Sequence, residues 1–148
     1  MMDRLKVAVV GAGAIGAFYG TMLEKAGVDV SFVARGATLA AIRRDGLRIT
    51  GKRTRTIHPL VTDDPAQIGV VDAVLVCTKT FQVAPALKDY SSSLIGPDTV
   101  VVTTQNGVAT PQVVADIVGR RRTCPGVCRE WVKIVEPGLV DDMGGPAS

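Results

Sequence analysis

Short, continuous apolar runs alternate with stretches of mixed polarity along most of the chain. Residues 5–10 and 71–77 leave few polar positions for a solvent-facing side, as strands covered on both faces of a parallel sheet require. Residues 28–34 and 99–103 read as two more strands. Between these runs, residues 14–26, 38–45, 81–92 and 111–118 predict helices. Gly27 and Gly46 stop the first two, Pro85 interrupts the third early, and Pro111 opens the fourth where a missing amide costs nothing. Residues 47–60 alternate apolar and polar positions around Gly51-Lys52, which predicts a hairpin or two short strands inserted between halves of the fold. Asp64-Pro65 starts a short helical turn, Gly96-Pro97-Asp98 is a turn, further strands follow Thr123, and the tail 143–148 is expected to fray. Strand-helix alternation of this kind predicts an α/β fold. The expected architecture is a Rossmann-like, doubly wound, mostly parallel sheet with helices on both faces, as one domain over residues 1–148.

The turn between the first strand and first helix changes this from a fold class to a binding site. Gly11-Ala12-Gly13-Ala14-Ile15-Gly16 is a G-x-G-x-x-G, directly after Val7-Ala8-Val9-Val10 and directly before the helix. Such hexamers are common alone, but strand, turn and helix stand here in the order that dinucleotide binding needs. Gly11 permits the sharp turn, Gly13 clears the path of a pyrophosphate, and Gly16 lets the helix approach the strand. The unpaired amides of the helix start then face the anion, helped by the helix dipole. A P-loop would require Gly-Lys-Ser/Thr, which does not follow here.

Composition narrows the class further. The chain has 148 residues, 47% hydrophobic and 21% charged, the balance of an ordinary globular domain. A formal net charge of +3 suits an anionic cofactor and gives no basis for nucleic-acid binding, since no basic stripe with interleaved aromatics appears. Arg120-Arg121-Arg122 reads as a solvated turn before a strand. The uncharged run from Val7 to Leu23 follows Arg4 and Lys6, yet glycines interrupt it and a strand-helix-strand pattern continues after it, so neither a signal peptide nor a membrane span is expected. Three cysteines without a secretory signal suggest reduced thiols and a cytoplasmic setting. Cys77 reads as a buried strand residue, the Cys124/Cys128 spacing is a poor match for zinc, and His58 reads as structural or surface, so no metal is expected.

Cofactor choice rests on the end of the second strand. NAD enzymes of this kind place a carboxylate there for the ribose hydroxyl, whereas this chain reads Phe32-Val33-Ala34-Arg35-Gly36. Asp29 has roughly the right count but precedes the strand core. Arg35 therefore suggests NADP, its fork matching a 2'-phosphate. An exposed residue leading the next helix is the plainer alternative. Ligands of open α/β sheets bind beyond the carboxyl ends of strands, which singles out Thr78-Lys79-Thr80-Phe81-Gln82 and Thr103-Thr104-Gln105-Asn106-Gly107. Lys79 is a candidate for phosphate, although it also suits a solvated helix start, and Gln82 lies near it. Asn106 has an amide suited to the nicotinamide ribose or a polar substrate, while Asn106-Gly107 is also a strong turn dipeptide.

At these residues the chain resembles the N-terminal domain of the ketopantoate reductase (2-dehydropantoate 2-reductase) family. The features that carry it are Lys6 through Gly16, Ala34-Arg35-Gly36, Thr78-Lys79-Thr80 and Gln105-Asn106-Gly107, with Gly126-Val127-Cys128 and Glu136-Pro137-Gly138-Leu139-Val140 toward the end. The resemblance implies NADPH-dependent reduction of 2-dehydropantoate to pantoate, a step toward pantothenate and coenzyme A. It implies Gly11, Ala12, Gly13, Ala14, Ile15 and Gly16 on the pyrophosphate, and Arg35 and Lys79 near the 2'-phosphate. Gln82 would serve the adenosine end, Asn106 would lie between nicotinamide ribose and substrate, and Val132 would touch the cofactor through its backbone. Pro125-Gly126-Val127-Cys128-Arg129-Glu130 departs from the family's usual Gly-Gly-Val-Cys followed by apolar or aromatic residues. The family's lysine general acid and a glutamate lie in a helical C-terminal domain with no counterpart here. The expectation is thus a truncated reductase with little activity alone, since a general acid supplies about 10² to 10⁴ in rate. A non-enzymatic NADP-binding module completed by a dimer or partner domain, and a reductase of another 2-oxo acid, are the alternatives.

Overall fold

Alternate side chains of β1 (Lys6–Val10) go to opposite faces, and both faces are dry. Val7 and Val9 join one buried cluster, Ala8 and Val10 the other. The structure, a computed structural model, describes residues 3–145. After β1 come α1 (Ala14–Lys25), β2 (Asp29–Val33), α2 (Gly36–Asp45), β3 (Leu47–Gly51), β4 (Arg55–Ile57) and β5 (Leu60–Thr62). A 3-10 turn at Pro65–Gln67 leads to β6 (Val71–Val76), α3 (Thr80–Leu94), β7 (Ile95–Thr103) and α4 (Ala109–Val118). A second 3-10 turn at Arg120–Arg122 leads to β8 (Thr123–Pro125), β9 (Trp131–Glu136) and β10 (Leu139–Gly144).

The main sheet has six parallel strands in the order β5-β2-β1-β6-β7-β8. Chain direction through the sheet reverses between β1 and β6, the crevice where doubly wound sheets bind dinucleotides. The Rossmann-like α/β fold expected from the sequence is therefore present. One cluster joins α1 and α2 to the sheet through Ala17, Phe32, Leu39 and Ile42; the other joins α3 and α4 through Val83, Leu87, Leu94 and Val114.

Several boundaries differ from the sequence expectation for physical reasons. The segment 47–60 is a hairpin of β3 and β4, as anticipated, but Leu60 opens β5, a strand of the main sheet paired with Ser31 through Val33. Helix α3 runs straight through Pro85 because Val83, Leu87, Tyr90 and Leu94 form a continuous buried stripe that outweighs one lost helical hydrogen bond. Helix α4 starts at Ala109, so Pro111 falls within its first turn rather than opening it. Cys77 lies one residue beyond β6 and is half-buried, although its amide still donates to the Val10 carbonyl at 2.8 Å. Residues 143 and 144 are not a frayed tail: Gly144 pairs with Trp131, and its amide donates to Asp142 Oδ1 at 2.9 Å. Residues 146–148 of that expected tail lie outside the described residues.

β9 and β10 join the β3/β4 hairpin in a second, mixed sheet of order β4-β3-β10-β9. Helix α1 is held between the two sheets. Arg53, in the hairpin turn, fastens this arrangement. Its Nε donates to Asp142 Oδ2 at 2.6 Å, its Nη2 to Glu130 at 2.8 Å, and its guanidinium lies 4.7 Å from the centre of the Phe18 ring on α1.

Candidate functional site

The glycine turn has the backbone that its sequence requires. Gly11 sits at φ +98°, and a Cβ there would lie 3.1 Å from the Cys77 carbonyl group, so a side chain is opposed by both conformation and space. Gly16 is tighter: its Cβ would stand 2.0 Å from the Gly11 carbonyl oxygen. Gly13 differs, since the nearest atom to a Cβ there is Ile134 Cδ1 at 3.9 Å. Packing does not demand that glycine, and its bare backbone leaves room for a ligand to approach. Gly13 caps α1 without any side-chain hydrogen bond, and the first turn carries no acidic residue. Amides of that turn are therefore open to an anion.

A cleft of about 620 Å³ opens beside this turn, within the range of small-molecule and cofactor sites. Gly11, Ala12 and Gly13 form one wall; Ala34, Arg35 and Thr38, at the end of β2 and start of α2, form the second. The third comes from one side of α3, including Phe81 and Gln82 in its first turn and Asp89 and Tyr90 further along it. Thr78 also lines the cleft, and its Oγ1 is buried with no hydrogen-bond partner among the described residues. An orphaned hydroxyl costs free energy unless something fills the cleft to pair with it. Together the bare Gly13 backbone, open amides and unpaired Thr78 hydroxyl fit the phosphates and ribose of a dinucleotide.

Of the residues singled out in the sequence, Gly11, Ala12, Gly13, Arg35 and Gln82 line this cleft. Ala14, Ile15 and Gly16 form the first turn of α1 behind it. Lys79 is exposed at the cap of α3, adjacent to Thr78 but not itself in the cleft wall. Asn106 is exposed in the loop after β7. That loop is tied to the end of β6: the Gln105 Nε2 donates to the Val76 and Thr78 carbonyls at 3.0 and 2.6 Å, and Thr104 Oγ1 donates to Val76 at 2.7 Å. The Gln of Gln105-Asn106-Gly107 thus anchors the loop that presents Asn106. Val132 packs inward against the α1 cluster, and the β9 residue nearest the glycine turn is Ile134. Asp29 begins β2 at the far end of the strand from Arg35 and does not face the cleft.

Two features of the cleft, Tyr90 and Asp89, were not legible in the sequence, and Phe81 lay in the stretch singled out after β6 without a role of its own. Tyr90 lies 55 positions from Arg35, yet its hydroxyl accepts a hydrogen bond from Arg35 Nη2, and its ring centre is 5.7 Å from the guanidinium carbon. Asp89 brings a carboxylate into the wall, and Phe81, 74% exposed, offers an apolar face. The only available signal was the apolar spacing of α3, which marks Tyr90 as inward but not as a partner of Arg35. Beneath the turn, burial pushes the Cys77 thiol up to about 12, against a smaller lowering by its hydrogen bond with Thr104. A thiol kept protonated in this way is a poor nucleophile, and Cys77 packs against the buried cluster of α1 and β1.

Comparison with known proteins gives a consistent result. The profile of the family described as Ketopantoate reductase PanE/ApbA matches residues 7–147. A 2-dehydropantoate 2-reductase of Mesorhizobium japonicum is 41% identical over 106 residues, covering 70% of this chain and 32% of that protein. The 2-dehydropantoate 2-reductase of Pyrococcus horikoshii is 31% identical over 140 residues, covering 95% of this chain and 45% of that one. Among solved structures, 2-dehydropantoate 2-reductase from Porphyromonas gingivalis W83 superposes with a TM-score of 0.87 at 31% identity, over 96% of this chain and 52% of the other. D-mandelate dehydrogenase, solved with NADH and anilino(oxo)acetate, superposes with a TM-score of 0.84 at 25% identity, over 95% and 46%. The chain spans between about a third and a half of the length of these proteins. By sequence and by fold, the chain belongs to the ketopantoate reductase family.

Proposed function

We propose that this chain supplies the NADPH-binding part of a 2-dehydropantoate 2-reductase. The observation that carries the reading is Arg35: within a family of reductases, it stands in the cleft wall where a carboxylate would select NAD. NADPH, when bound, supplies the hydride that reduces a 2-oxo acid to a 2-hydroxy acid. Open amides at Gly13 through Gly16 hold the pyrophosphate, and the Thr78 hydroxyl gains a partner on the ribose-phosphate. Arg35 pairs with the 2'-phosphate, with Lys79 at the neighbouring helix cap adding a mobile positive charge. Asn106, presented by the Gln105 anchor, orients the nicotinamide ribose and the substrate. The group that protonates the ketone oxygen is not assigned to any residue of this cleft.

Replacing Arg35 with Ala tests this directly. A charge-assisted hydrogen bond of about 1.5–3 kcal/mol corresponds to a roughly tenfold to hundredfold loss. Arg35→Ala is expected to weaken NADP by that factor and leave NAD nearly unchanged, as read by calorimetric titration. An unchanged ratio of the two affinities eliminates the role.

A second reading is favoured by one specific observation, the likeness to a D-mandelate dehydrogenase solved with NADH. In that reading the cleft takes NADH and serves another 2-oxo acid, with Asp89 in place of the missing strand-end carboxylate. Tighter binding of NADH than of NADPH distinguishes it.

A further inference from the structure

Arg35 is exposed, and an exposed arginine samples many rotamers that do not face a phosphate. In this structure it is held. The guanidinium donates through Nη2 to the Tyr90 hydroxyl and lies 5.7 Å from the centre of the same ring. Tyr90 is itself fixed: it is 8% exposed and belongs to the buried stripe of α3 with Val83, Leu87 and Leu94. These contacts with one buried side chain restrict where the guanidinium can go, and both residues line the cleft. The remaining guanidinium donors are left for a ligand, because one hydroxyl uses a single N–H of five.

We propose that Tyr90 is a positioning residue that sets Arg35 for the 2'-phosphate and so determines the preference of the site for NADP over NAD. This rests on the reading of the cleft as a dinucleotide site. It goes beyond that reading by assigning selectivity to a helix α3 side chain that does not need to touch the phosphate. Holding Arg35 before the ligand arrives removes part of the ordering cost of binding. NAD lacks the 2'-phosphate, so the part of binding that Tyr90 supplies through a charge-assisted bond from Arg35 is expected to be absent for it.

Tyr90→Phe keeps the buried ring and removes only the hydroxyl. Titration of the protein with NADP and NAD is expected to show an NADP affinity lowered about threefold to tenfold and an NAD affinity unchanged. In an Arg35→Ala background the same substitution is expected to change neither affinity, because the effect runs through Arg35. Equal losses for both dinucleotides, an unchanged ratio, or a full effect in the Arg35→Ala background each overturns the proposal. Should Tyr90→Phe fail to fold, as read by its thermal midpoint, Tyr90→Trp supplies the second variant. It retains a ring face while moving the polar atom, and a wild-type NADP-over-NAD ratio in it overturns the proposal too. Wild-type protein that binds neither dinucleotide, or that prefers NAD, instead removes the underlying reading of the cleft.

Discussion

Gly13 and Gly16 belong to one motif but answer to different physics, and that difference separates binding from folding. A methyl at Gly16 would meet a backbone oxygen at 2.0 Å, which no rotamer change relieves. Gly16→Ala is expected to destabilise the protein by about 2 kcal/mol or more, in the range of overpacked cores, as a lowered midpoint in urea. A methyl at Gly13 has room, its nearest neighbour being a side-chain carbon at 3.9 Å. Gly13→Ala is expected to cost about 1 kcal/mol or less in stability, mainly at the helix cap, while weakening dinucleotide binding at least tenfold. Equal effects of the two variants on folding would contradict the assignment of Gly13 to ligand approach. At this scale the sequence was informative where chemistry is local: Gly11, Gly13, Gly16 and Arg35 could be placed from spacing alone. Tyr90 could not, because its contact with Arg35 depends on how α3 packs on β6 and β7 and leaves no short-range pattern.

The same contrast holds for elements. β1, β2 and β6 were legible because most of their positions are apolar, with the few polar ones such as Lys6, Asp29 and Asp72 at or near a strand end. β5 was not, because three residues after a hairpin carry too little pattern to distinguish a sheet strand from a loop. The second sheet depended on a contact that the sequence does not advertise, the pairing of Arg53 in the hairpin turn with Asp142 in β10. Burial would raise the Asp142 carboxyl, but hydrogen bonds from Arg53 and the Gly144 amide outweigh it and hold the group below its ordinary value. A carboxyl depressed in the folded state adds stability above its unfolded value near 3.8, and that contribution is lost as pH falls through the folded value. Asp142→Asn is therefore expected to lower stability at neutral pH by about 2–3 kcal/mol, less than for a fully buried pair because Arg53 is a third exposed. The variant should also lose part of the wild-type decline in thermal midpoint as pH falls below about 3.8. A wild-type decline that persists in full in Asp142→Asn would show that other carboxylates carry it.

For the whole molecule, sequence and structure agree on a Rossmann-like sheet; the structure puts its cleft at the β1/β6 reversal, and a solved relative of about twice the length shares the fold. What the fold cannot convey by itself is selectivity between two dinucleotides, which we propose rests on Arg35 and its surroundings. Because Arg35 is exposed, the preference should also shrink as salt rises and the 2'-phosphate is screened. The most direct measurement is a calorimetric titration of the protein with NADPH and with NADH at the same low ionic strength. The expected result is saturable one-site binding of NADPH, about tenfold or more tighter than NADH. Equal affinity, tighter binding of NADH, or no binding of either would contradict the assignment of this cleft to NADPH.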